Sequence, residues 1–154
     1  MTVAERLQQL GIVLPPAPRP VGSYVAACQA GDLIFVSGVL PFQEGKILHP
    51  GKVGRDLSME EGKAHARIAA INALAILQQE LGDLSRVTRI VRLTGHVASA
   101  EGFGDQPAVI NGASDFLVEV FGEKGRHARL ALGAFELPLH ASIELELIVQ
   151  VSTS

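Results

Sequence analysis

Ser58-Met59-Glu60-Glu61 opens the longest regular pattern in the chain and constrains everything around it. A serine followed three residues later by glutamate makes a capping box: the hydroxyl accepts from the Glu61 N–H, and the Glu61 side chain accepts from the Ser58 N–H. A helix is therefore expected to start here. Ala64, Ile68, Ile71, Ala75 and the Gln78-Gln79 pair keep helical spacing, Asn72, Leu74 and Leu77 widen the apolar stripe, and Leu81-Gly82 supplies a C-terminal glycine. A helix of about 22 residues in so short a chain has to lie across a sheet to bury its stripe.

Strand signals flank it. Tyr24–Gln29 and Leu33–Ser37 are rich in β-formers and are joined at Ala30-Gly31-Asp32, which predicts a hairpin. Residues 38–56, with Gly and Pro at intervals, read as a loop. Residues 87–98 (VTRIVRLTGHVA) alternate as a half-buried strand does, with Val87, Ile90 or Val91, and Leu93 competing for the inner face. A second helix is expected from Pro107 to Phe121, stopped by Gly122. ARLALGAFEL and ASIELELIVQV then supply two last strands around a turn at Pro138. The sum is β-β-α-β-α-β-β, an α+β chain with an antiparallel or mixed sheet and two helices on one face. Ahead of it, residues 3–10 read as a short amphipathic helix stopped by Gly11, and PPAPRP at 15–20 as an extended arm.

The chain has 154 residues, 47% of them hydrophobic, which is enough for one core, and a single domain over 1–154 is expected. No apolar run approaches the ~20 residues a bilayer span needs, and the charged start MTVAERLQQLG does not resemble a signal peptide. One cysteine, Cys28, fits a reducing compartment, so a cytoplasmic location is expected. The formal charge of −3 without a Lys/Arg run argues against a polynucleotide partner. Aromatics are scarce at 5% while aliphatics abound, and a small domain this aliphatic tends to bury part of its surface against copies of itself.

The five histidines, His49, His65, His96, His127 and His140, show no metal-ligand spacing, and neither Gly102-Phe103-Gly104 nor Gly51-Lys52-Val53-Gly54 is long enough for a phosphate loop. Cys28, within a strand, reads as a small buried apolar residue. His127 and His140 bracket the strand that starts at Ala128.

The C-terminal stretch carries a longer pattern. Arg129, then Leu137-Pro138, then Ile143-Glu144-Leu145-Glu146 resemble the signature segment of the RidA/YjgF family. Gly22-Ser23-Tyr24 resembles its Gly-Pro-Tyr, with Ser for Pro, and Ser37-Gly38-Val39-Leu40-Pro41 resembles its Ser-Gly-x-x-Pro turn. The resemblance runs from about residue 20 to 151 and leaves out the first 18. A Cys two residues after the arginine in some members is Ala131 here, so no thiol chemistry is assigned there. The family's helix carries a site-facing Asn; counting back from Arg129 points to Asn111, and counting back from Phe121 points to Ser114.

The resemblance implies a homotrimer of chorismate-mutase-like subunits around a central barrel, with clefts between subunits. It implies a hydrolytic deaminase, free of metal and cofactor, that turns small 2-imino or enamine acids such as 2-iminopropanoate or 2-iminobutanoate into 2-keto acids and ammonia. Arg129 would clamp the carboxylate with its planar fork, and Glu144 would position water and pass a proton to the leaving ammonia. Tyr24, Ser37, Gly38, Leu130 and Asn111 would complete the substrate site, Ser37 and Gly38 through their backbone. Ser37 as a nucleophile lacks a partner base, and Glu146 shares the strand face of Glu144 as an ordinary solvated acid. The alternatives are a binding or sensing module for small carboxylates without turnover and, less favoured by the charge, a ribonuclease or translation inhibitor.

Overall fold

The computed structural model describes residues 1–153. After a short helix α1 (Val3–Gln9) and an extended arm come strands β1 (Ala27–Ala30) and β2 (Leu33–Val39), then a small hairpin of β3 (Phe42–Gln43) and β4 (Lys46–Ile47). Helix α2 (Met59–Leu81), strand β5 (Val87–Ala98), helix α3 (Gln106–Phe121) and strands β6 (Ala128–Ala134) and β7 (Ile143–Val151) complete the order. The mixed α+β architecture is the one expected. Both halves of the capping box form at Ser58 and Glu61, a device worth about 1 kcal/mol to a helix.

Five strands make one sheet in the order β1-β2-β7-β5-β6, antiparallel except for the parallel pair β5-β6. The crossover that parallel pairing requires is α3. Helices α2 and α3 pack on each other and on one face of the sheet, and α1 packs on α3. Leu74 and Leu77 of α2, Ile110, Phe116 and Leu117 of α3, and Ile34, Leu93, Leu145 and Leu147 of the sheet form the centre of the core.

The ambiguous frame of β5 is settled by two irregularities. Its register against β7 shifts between Val87 and Arg89 and again between Ile90 and Arg92, so Val87, Ile90 and Leu93 all face the helices although they are three residues apart. Strand β1 starts at Ala27, three residues later than expected, and the region read as a loop holds the β3-β4 hairpin. Cys28 is exposed rather than buried. It lies on the edge strand directly opposite Phe35, and both project from the sheet face that carries no helix. Leu130 and Leu132 stand on that same open face, each more than two-fifths exposed.

Candidate active site

Four of the expected residues meet in one cavity. Tyr24, Ser37, Gly38 and Glu144 line a hollow of about 440 Å³ at the β2 irregularity, with Leu40, Phe42 and Ile76 behind them and Pro18 to Val21 of the arm in front. Pairing between β2 and β7 is interrupted between Val36 and Val39, which takes Ser37 and Gly38 out of the ladder beside Glu144. The Glu144 side chain lies over Gly38 so closely that a β-carbon there would be 2.9 Å from its Cδ; only a glycine leaves that space.

Burial raises the Glu144 carboxyl above the ordinary carboxylate range; His96, its neighbour on β5, pulls it down and Glu146 pushes it further up. A carboxyl shifted in that direction holds a proton more readily than a free one, which suits it to taking a proton and handing it on. The two hydroxyls are oriented by their partners. Tyr24 accepts the Val21 N–H at 3.0 Å, which leaves its own hydrogen free for a ligand. Ser37 donates to the Val25 carbonyl at 2.6 Å, so its proton is committed to the backbone and its remaining capacity is to accept. That arrangement agrees with leaving Ser37 out as a nucleophile.

Arg129 is elsewhere. It sits on the edge strand β6 opposite Leu93, on the helix-covered face, whereas Glu144 sits opposite His96 on the open face. One chain therefore cannot bring the two to a single small ligand. Both hydrogens of Arg129 Nη1 are taken by α3: Asn111 Oδ1 accepts at 2.7 Å and Ser114 Oγ at 3.1 Å. Asn111 and Ser114 are three apart on one helix and present to the same side, so both candidate positions reach the arginine. Among the described residues no carboxylate pairs with Arg129, and its Nε–H and Nη2–H edge makes no hydrogen bond. That edge is the side-on fork that matches a carboxylate in two parallel hydrogen bonds. Leu130 points to the opposite face from Arg129.

One of the two histidines that bracket this strand is wired to the arginine. His127 Nε2 is 2.9 Å from Ser114 Oγ, and its Nδ1 is 2.6 Å from the Gly125 carbonyl. The signal was period two: residues 127 and 129 share one side of an extended segment. His140 instead sits on the exposed side of a separate hollow with Glu136, 3.8 Å away. His65 bonds Ser142 at 2.7 Å, but Ser142 is wholly buried, so this Ser–His pair fastens α2 to the start of β7 and has no access to a substrate. No cluster of three or more His, Cys, Asp or Glu side chains that could hold a metal occurs among the described residues, and no helix among them is long and apolar enough to cross a membrane.

A mixed sheet in this strand order with helices on one face is the architecture of the chorismate-mutase-like class of α+β proteins. Within that class the chain belongs to the YjgF/RidA family: residues 4–151 match the family described as "YjgF/chorismate mutase-like, putative endoribonuclease". It is 42% identical over 151 residues to protein TCP17 of Trypanosoma cruzi, covering 97% of this chain and 94% of that protein. It is 28% identical over 145 residues, covering 91% and 94% of the two chains, to a 2-iminobutanoate/2-iminopropanoate deaminase of Dermatophagoides farinae. The crystal structure of Atu1372 from Agrobacterium tumefaciens, a protein of unknown function, superposes with a TM-score of 0.91 at 43% identity over 97% of this chain and 92% of that one.

Proposed function

We propose that the protein hydrolyses small 2-imino and enamine acids of the 2-iminopropanoate and 2-iminobutanoate type to 2-keto acids and ammonia. The observation that carries this reading is the Arg129 guanidinium, fixed through Nη1 by Asn111 and Ser114 with its bidentate edge left open. Held in this way, the guanidinium is aimed without being neutralised, which suits it to an incoming carboxylate. The deaminase name of the mite relative supports the reaction class.

Since Arg129 and Glu144 face opposite sides of the sheet, the working site joins the arginine of one copy to the Tyr24–Glu144 cavity of another. The homotrimer implied by the family resemblance supplies that arrangement, and the exposed Phe35, Leu130 and Leu132 on the open sheet face support burial against other copies. In the site, Arg129 holds the substrate carboxylate and the Tyr24 hydroxyl donates beside it. The ligand side chain rests on Leu40, Phe42 and Ile76. Glu144 takes a proton from water as the oxygen adds to the C=N carbon, then returns it to nitrogen. The hydroxyl of the resulting carbinolamine then gives up its proton, which Glu144 carries to the amine; the C–N bond breaks, ammonia departs and the 2-keto acid remains. The ribonuclease label draws no support from a chain of net charge −3 without a basic run.

The test is ammonia release from freshly generated 2-aminoacrylate. Arg129→Ala is expected to slow it by about a hundredfold or more, as loss of a charged anchor does. An unchanged rate would sink the assignment. Glu144→Gln separates turnover from mere binding: retained affinity for 2-oxobutanoate with lost ammonia release identifies an enzyme, while absence of turnover in the unaltered protein identifies a binding module.

A further inference from the structure

The hydrogen bonds behind Arg129 do not stop at α3. Ser114 Oγ accepts from Arg129 Nη1 at 3.1 Å and is also 2.9 Å from His127 Nε2. The other ring nitrogen, Nδ1, is 2.6 Å from the Gly125 carbonyl, which can only accept. Nδ1 therefore carries the hydrogen. In the neutral ring Nε2 is then an acceptor, and the Ser114 proton has to point at it. One consequence is directional: the Ser114 hydroxyl turns a lone pair, and not its hydrogen, toward the guanidinium.

The Gly125 carbonyl is itself held. Gly125 closes the short 3-10 turn Gly122–Gly125 and is buried against α3, where a β-carbon would come within 3.0 Å of the Val118 Cα and closer still to the Leu117 carbonyl. The chain runs from buried backbone through His127 and Ser114 to Arg129, with every polar atom in a defined role. Without the imidazole, the Ser114 hydroxyl is a free rotor. A helical serine then commonly turns its proton to the carbonyl four residues back, here that of Ile110.

We propose that His127 is a positioning residue for Arg129: through Ser114 it fixes the orientation in which the guanidinium presents its Nε/Nη2 edge to a carboxylate. The proposal rests on Arg129 being the carboxylate anchor. It goes beyond that assignment by giving a role to a histidine that touches no substrate.

Paired probes test it by NMR titration at one pH: 2-oxobutanoate, and the neutral 2-oxobutanamide that lacks the carboxylate. His127→Ala and Ser114→Ala are each expected to weaken 2-oxobutanoate about five- to tenfold while changing the amide less than about twofold, in the range of one ordinary hydrogen bond. The double variant should be no weaker than the poorer single one, because both act on one path. His127→Gln, whose side-chain oxygen can accept the Ser114 proton, should recover most of the loss. Wild-type affinity in His127→Ala, equal losses for both probes, or additive losses would each overturn the proposal. Arg129→Ala separates the two levels. If it abolishes the preference for the carboxylate while His127→Ala does not weaken it, the positioning role falls and the anchor stands; if it leaves the preference intact, both fall.

Discussion

Glu144 combines two conditions that pull against each other: a carboxylate half removed from water and no cation bonded to it. Because its folded pKa lies above the unfolded one, the protonated form is the one that suits the folded state. Its unfavourable contribution is absent at pH values below the ordinary carboxylate pKa and grows as pH rises through the raised one. Glu144→Gln is therefore expected to melt higher than the parent protein at pH 7–8 and at the same temperature near pH 4, by differential scanning calorimetry across that range. Gly38→Ala is the complementary change. The new methyl occupies the place of the Glu144 side chain and displaces it by about 1 Å or more, a shift that costs on the order of a hundredfold in rate. The Gly38 backbone is not in the left-handed region, so stability should fall by less than about 1 kcal/mol, measured by urea unfolding alongside the ammonia assay. At this scale the identities of Tyr24, Ser37, Gly38 and Glu144 were legible as a motif. The choice between Asn111 and Ser114 was not, because linear counting treats as rivals two positions that a helix places side by side.

Helix α2 was readable because all its instructions are local: a serine with a glutamate three residues on, a stripe at helical spacing, and a glycine where it ends. The β3-β4 hairpin was not, since its strands are two residues long and its turn at Glu44-Gly45 uses positive φ at both positions. What fixes that hairpin is distant in sequence. Asn72 of α2, almost wholly buried, donates its amide to the Leu40 carbonyl at 3.1 Å and the Phe42 carbonyl at 2.9 Å. Asn72→Ala leaves both carbonyls without that donor and is expected to cost about 2–3 kcal/mol in urea unfolding. It should also raise KM, because Leu40 and Phe42 are the back wall of the cavity. The parallel partnership of β5 and β6 was likewise hidden: pairing direction is a property of the connection, and alternation reads the same in either sense.

For the whole molecule, the placement of Arg129 and Glu144 on opposite faces makes a distinct prediction about mixtures. Arg129→Ala and Glu144→Gln chains are each expected to be inactive alone. Co-expressed in equal amounts, they should regain roughly a quarter of the parent activity, because random pairing gives that share of clefts an intact arginine from one chain and an intact glutamate from the other. Mixed assemblies that stay inactive would place the two residues in separate roles. Composition hinted at self-association through its aliphatic excess, yet no pattern in the chain could tell which residues would remain uncovered until the strand order put Phe35, Leu130 and Leu132 on one face. The arm bears on the molecule's history in another way. Among the described residues, positions 13–20 take part in no hydrogen bond, and Pro15, Pro16, Pro18 and Pro20 have no N–H to offer. Part of the cavity wall is thus made by a segment outside the ladder of the sheet. Substitutions there can reshape what the cavity admits without disturbing the core, so descendants of this chain can change diet while keeping their fold.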